Sequence, residues 1–195
     1  MIKTTAMILN ELKAYANPKT KLSRMVQSGD YFPIVKGLYE TNRNVDGYLL
    51  AGSIYGPSYL SFEFALSYYG MIPESVYTYT SATFDKKRKK TFETSFGTFT
   101  YQDVPGKAYP WGIRLVFEGE YSFQIATKEK AVCDKLYNMS SVHSMNEMRQ
   151  LLTDNLRIDE EELEKLDLQS LQILQQKYHS TNVNFLVKVL EKERI

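Results

Sequence analysis

Lys19, Lys21, Arg24 and Lys36, all near the start of the chain, have the type and spacing to grip a polyanion. Lysine and arginine neutralise phosphates, and arginine also pairs with base edges through its planar fork. The spacing places Lys19, Lys21 and Arg24 on one short helix and Lys36 in a tight turn just after it. The first three are expected at phosphates or base edges, and Lys36 at a flanking contact. A second basic group, Lys86, Lys87 and Arg88, lies in the run DKKRKK from Asp85 to Lys90. It reads as a second phosphate contact or part of a partner surface. The alternative for both groups is a solvated basic face.

Other chemistry finds little support. The two histidines, His143 and His179, stand outside any metal-ligand spacing such as HExxH. The lone cysteine, Cys133, sits among Ala131, Val132 and Leu136, where a small buried hydrophobe is expected rather than a nucleophile. The carboxylates from Asp159 to Glu164 fall at a helix start, where capping accounts for them. Gly52, Gly56, Gly97, Gly106 and Gly112 form no phosphate-cradling loop. The expectation is a protein without a catalytic site, metal or cofactor.

The elements that must position the basic groups are legible nearby. Asn17 suits a helix N-cap and Pro18 the first helical position. Leu22, Met25 and Val26 form an apolar stripe, and Gly29 suits the helix stop. Tyr31 to Val35 favours a strand, Lys36-Gly37 a two-residue turn, and Leu38-Tyr39 the return strand. So short a helix needs a neighbour, expected between Thr4 and Tyr15 with Ile8, Leu12 and Tyr15 on one face. Helix plus hairpin is the back half of a winged helix-turn-helix.

Beyond the polar joint Asn42–Asp46, helices are expected at Tyr48–Tyr55 and Phe62–Tyr69, the second capped by Ser61. Val76–Ser81 alternates as a strand. Hairpins are expected at Thr91–Tyr101 and over Arg114–Ala126 with its turn at Gly119, before a helix capped by Thr127. The remainder reads as helical, with Ser144, Asp159 and Asp167 as caps. The order predicts an α+β fold: a small, truncated winged helix-turn-helix over 1–43, a mixed helix and antiparallel-sheet domain over 44–142, and a helical tail over 143–195 packed on the same domain.

Composition fits a globular protein, with 43% hydrophobic residues and a net charge of +1. Residues 1–43 carry seven Lys and Arg against three Asp and Glu, whereas residues 143–195 carry seven against ten. The positive end coincides with the candidate polyanion-binding module. No apolar run approaches a membrane span, and the N-terminus lacks a signal-peptide layout. With a single cysteine, the expected location is the cytoplasm.

Four blocks carry a family likeness. KLSRMVQSGDYFPIVKGLYET resembles the winged-helix end of AbiEi-type antitoxins, the regulator half of type IV toxin–antitoxin systems. IYGPSYLSFEFALSYYGMIPE resembles the family's next block, with its "p-s-Y-l-S" entry. TYTSATFDKKRKKTFETSFGTFTY resembles its strand, basic turn and hairpin, and IATKEKAVCDKLY its "A-x-x-e-K-A-l-x-D" helix. The likeness runs in order from Pro18 to Tyr137.

The resemblance implies a non-enzymatic transcriptional regulator of a phage-defence locus. It would repress its own operon through Lys19, Lys21, Arg24 and Lys36, and counter a nucleotidyltransferase-like toxin encoded nearby, without a stable complex. Lys86, Lys87 and Arg88 are the candidates for the antitoxin surface. The chain departs from the pattern in having room for only one helix before Pro18, so the helix that packs across the recognition helix has no obvious sequence. Two other readings stay open: a protein-interaction module of such a locus without DNA binding, and a metal-dependent enzyme acting on nucleic acid. The oligomeric state is open, with a dimer plausible.

Overall fold

Local chemistry sets the first elements. The structure, a computed structural model, describes residues 1–193. Strand β1 (Ile2–Thr4) leads directly into helix α1 (Thr5–Glu11), whose first turn is capped by the Thr4 side chain. Helix α2 (Pro18–Ser28) starts at Asn17, whose side-chain oxygen accepts from the Thr20 N–H at 3.1 Å. It stops at Gly29, whose φ of 81° suits a residue without a Cβ. Strands β2 (Phe32–Val35) and β3 (Leu38–Glu40) follow, turning over Lys36-Gly37. The sheet is antiparallel in the order β1-β3-β2. Ile8 and Leu12 pack with Leu22 and Tyr31 in a small core of their own.

This module answers the question of what braces α2: the segment before Pro18 does so itself, with Ile8 and Leu12 against Leu22. Tyr15 does not share that face. It is 51% exposed, and the Lys21 ammonium lies 5.2 Å from its ring centroid.

The rest of the described chain is mixed α and β. A 3-10 turn (Gly47–Leu50) runs into the short helix α3 (Ala51–Ile54), then strand β4 (Tyr59–Leu60), helix α4 (Phe62–Tyr68) and strand β5 (Thr78–Thr83). Two hairpins follow, β6 (Lys90–Thr94) with β7 (Gly97–Asp103) and β8 (Ile113–Glu118) with β9 (Tyr121–Ala126). Helices α5 (Lys128–Tyr137), α6 (Met145–Gln150), α7 (Glu160–Glu164), α8 (Leu168–Tyr178) and α9 (Thr181–Glu193) complete it, a π-helical turn (Leu151–Asn155) extending α6.

The larger sheet has the order β6-β7-β5-β4-β9-β8. It is not purely antiparallel as expected: β5 runs parallel to β7, and β4 parallel to β9. Each hairpin docks through its second strand and leaves its first at the sheet edge, which fixes those two directions. A single large core joins this sheet to the helices after it, with Leu171, Val183, Leu186 and Leu190 buried alongside Phe62, Phe99 and Ile125. Ile34 of β2 also belongs to that core. Tyr121 donates a 3.0 Å hydrogen bond to Glu40 at the end of β3, so the small module is fastened to the large sheet.

Candidate nucleic-acid interface and a buried polar network

The period of α2 sorts its side chains by environment. Leu22 is buried and Met25 and Val26 are partly buried, while Lys19, Thr20, Ser23, Arg24 and Gln27 are exposed. A helix exposing arginine, glutamine, serine and threonine presents the donors and acceptors that read base edges and phosphates. Thr20, Ser23 and Gln27 were not singled out from the sequence, although the 3.6-residue period would have found them once Leu22 was taken as the inward position.

The four basic residues do not form one patch. Lys19 and Lys36 flank a groove of about 390 Å³ between α2 and the β2–β3 hairpin, floored by Leu22, Val26, Val35 and Tyr39. Arg24 lies further round the exposed face. Lys21 is half-buried against Tyr15, so its charge is held at the border of the helix by a cation–π contact. Among the described residues, Lys19, Arg24 and Lys36 enter no ion pair. Lys3 is already committed to Glu11, 2.7 Å away, and that pairing draws the Lys3 pKa up and the Glu11 pKa down.

The second basic group divides too. Lys86 donates to the Gly56 carbonyl at 3.1 Å and lies over the Tyr55 ring, so it acts as a tie within the fold. The Lys87 backbone N–H donates to Asp103 at 2.6 Å, which leaves its side chain and that of Arg88 exposed in the loop between β5 and β6.

The densest polar chemistry is inside the protein. Lys130 and Asp134, one turn apart on α5, are both completely buried and 3.1 Å from one another. Asp134 Oδ2 accepts from Tyr59 at 3.0 Å and from Ser61 at 2.6 Å, and Oδ1 accepts from Tyr178. Besides Asp134, Lys130 donates to the Ala108 carbonyl at 3.0 Å and to the Tyr178 hydroxyl. Every ammonium proton and both carboxylate oxygens therefore have partners, the condition under which a buried ion pair is tolerated. Burial pushes Lys130 below the usual lysine value, against the pull of Asp134. Burial first, then the Asp134 charge, raises Tyr59 and Tyr178 well above ordinary tyrosines. Neighbouring Cys133 is buried, and its thiol is pushed upward by burial. All of its side chains are buried, and it ties β4, the Ser61 corner and α8 to α5.

Sequence reasoning gave Ser61 the role of N-cap to α4. It stands at that position, but its hydroxyl turns to Asp134, and Thr80 of β5 accepts from the Phe64 N–H at 3.0 Å instead. The buried carboxylate prevails over a local cap because a charge-assisted bond in the interior is the stronger one. Asn17, Thr127, Ser144, Asp159 and Asp167 all accept from their helix N–H groups. Among the described residues no cluster of three or more His, Cys, Asp or Glu side chains could hold a metal ion, and no helix is long and apolar enough to cross a membrane.

Comparison with known proteins returns no matching family model and no matching curated protein.

Proposed function

We propose that the chain is an AbiEi-like antitoxin and transcriptional regulator, binding its own upstream DNA through α2. The observation that carries the reading is the exposed face of α2, with Thr20, Ser23, Arg24 and Gln27 outward, braced by α1 and flanked by a hairpin bearing Lys36. In a helix-turn-helix the second helix enters the major groove while the first crosses the backbone. In this arrangement α2 is the reading helix, Lys19 and Lys36 are phosphate contacts at its groove, and Lys21 is a border contact.

The geometry of Asp134 supports the family likeness. The "p-s-Y-l-S" block supplies Tyr59 and Ser61, and the "A-x-x-e-K-A-l-x-D" block supplies Lys130 and Asp134. Residues from two blocks far apart in the chain are thus partners in one network, which gives their joint presence a physical reason. Lys87 and Arg88 are the exposed part of the candidate antitoxin surface.

The test of the regulator half is a fluorescence-anisotropy titration with the DNA upstream of the gene. Affinity should fall steeply with salt, since counterions are released from each phosphate contacted, and replacing Lys19, Arg24 and Lys36 together by alanine should weaken it at least tenfold. Absence of affinity would remove DNA binding from the proposal, and affinity indifferent to salt and to the triple substitution would remove these residues from it. Co-expression with the adjacent reading frame tests the antitoxin half: growth arrest by that gene should be relieved by the wild-type chain.

A further inference from the structure

The two edges of the large sheet are chemically different. Edge strand β6 carries Lys90, Thr91, Glu93 and Thr94, the charged and polar side chains that discourage edge pairing. Edge strand β8 instead exposes Leu115 and Phe117, which are 55% and 77% accessible. Two large apolar side chains on an edge strand invite another strand unless something covers them.

The phase of the hairpin says which backbone groups are free. Glu118 pairs with Tyr121 across a two-residue turn, with Gly119 at a φ of 57° that the first turn position of a type II′ hairpin requires. The closing pair of such a turn is hydrogen-bonded, and the ladder alternates from there. Glu118, Val116 and Arg114 therefore face β9 with their N–H and C=O groups. Phe117, Leu115 and Ile113 direct theirs outward.

The geometry points to a second copy of this chain as the occupant of the β8 edge, paired antiparallel about a two-fold axis at Val116. The segment Arg114-Leu115-Val116-Phe117-Glu118 is self-complementary about its centre. In that register Leu115 of one copy lies opposite Phe117 of the other as a hydrogen-bonded pair, joined by the outward backbone groups. Arg114 lies opposite Glu118 on the other face, twice by symmetry. Directly opposite side chains in an antiparallel pair are in contact, and opposite charges there favour pairing. Of the registers that the outward groups allow, centres at Leu115 or Phe117 forfeit the Arg114–Glu118 match, so charge selects the Val116 register. Glu118 accepts from the Tyr48 hydroxyl at 2.7 and 2.9 Å, and a carboxylate has lone pairs left for an arginine. An isologous contact of this kind closes as a dimer. The inference rests on the sheet alone and stands apart from the DNA-binding reading.

Sedimentation velocity on the full chain tests it, at about 100 µM, where a dimer with a Kd of about 10 µM is mostly formed. The wild type should sediment as a dimer. Arg114→Glu alone and Glu118→Arg alone should each place like charges across the two-fold and sediment as monomers. An equimolar mixture of the two should recover the dimer. In the mixed pair the introduced glutamate of one copy faces the introduced arginine of the other, and the remaining native Arg114 and Glu118 face one another. Leu115→Lys with Phe117→Lys should be monomeric alone and in every mixture. Recovery in the mixture also excludes misfolding of the single variants as the cause of their monomeric state. A monomeric wild type, dimers that survive both single reversals, or a mixture that stays monomeric would each overturn the proposal.

Discussion

The Lys130 ammonium lies 3.1 Å from the Asp134 carboxylate on the same face of α5, with neither side chain reaching solvent. Its surroundings supply a partner for each of their hydrogen-bonding positions, from β4, the Ser61 corner, the Ala108 loop and α8. The pair therefore pins the sheet to the helices after it, and its loss should be felt throughout the fold. Asp134→Leu leaves a buried ammonium without its counter-charge and is expected to cost about 3–5 kcal/mol. Replacing both partners, as Lys130→Met with Asp134→Leu, should cost less than the sum of the single changes. Denaturant unfolding of the four proteins in this double-mutant cycle gives the coupling directly. Additive costs would mean that the two groups act independently.

The α2 face predicts an unequal division of labour. Arg24 is exposed and enters no ion pair among the described residues, whereas Lys21 is stacked on Tyr15. Arg24→Ala should weaken DNA binding by about 1–3 kcal/mol if the guanidinium meets a base edge. Lys21→Ala should have the smaller effect. Tyr15→Ala releases Lys21 and should leave affinity unchanged or slightly raised. Anisotropy titrations of the three variants against the same duplex check this order.

Acid sensitivity is expected where α7 meets α5. Lys128, then Lys165, hydrogen-bond to Glu162 and lower its pKa from 4.5 to about 2. A carboxylate depressed on folding contributes stability above its unfolded value, and that contribution is lost as pH falls through the folded one. Between pH 4.5 and about 2 the wild type should therefore lose melting temperature faster than Glu162→Gln. The two curves should converge below that window. Parallel curves throughout would show that Glu162 titrates alike in both states.

Gly47 marks a close approach. A Cβ there would stand 2.2 Å from the Tyr79 ring and 2.4 Å from the Phe96 carbonyl oxygen. Backbone cannot yield as a flexible side chain can, so Gly47→Ala should destabilise by about 1–3 kcal/mol or more. For a chain of this length each kcal/mol corresponds to a fall of about 2–4 °C in Tm. Gly52→Ala makes the control, since a Cβ at Gly52 meets nothing within 4 Å.

Much of the N-terminal module was legible because its signals are local. Asn17, Pro18 and Gly29 bound α2 by satisfying or omitting backbone donors within a few residues, and Lys36-Gly37 turns the hairpin between neighbouring strands. The Thr127, Ser144, Asp159 and Asp167 caps are of the same kind. The period also told which residues of α2 share a side, and with it the exposure of Arg24.

Tertiary structure alone decided what depends on partners distant in the chain. Spacing of four places Lys130 and Asp134 on one helix face, but only the arrival of Tyr59, Ser61 and Tyr178 makes that face the interior. Ser61 had the right position for a cap and was taken instead by a carboxylate 73 residues away. Lys21 and Lys86 read as free cations until Tyr15, Tyr55 and the Gly56 carbonyl were brought to them. The parallel pairings of β4 with β9 and β5 with β7 follow from which strand of each hairpin docks inward. Sequence determines a residue's neighbours along one element through fixed backbone geometry. Its neighbours across elements depend on how those elements pack, because burial and long-range hydrogen bonds can override the local preference.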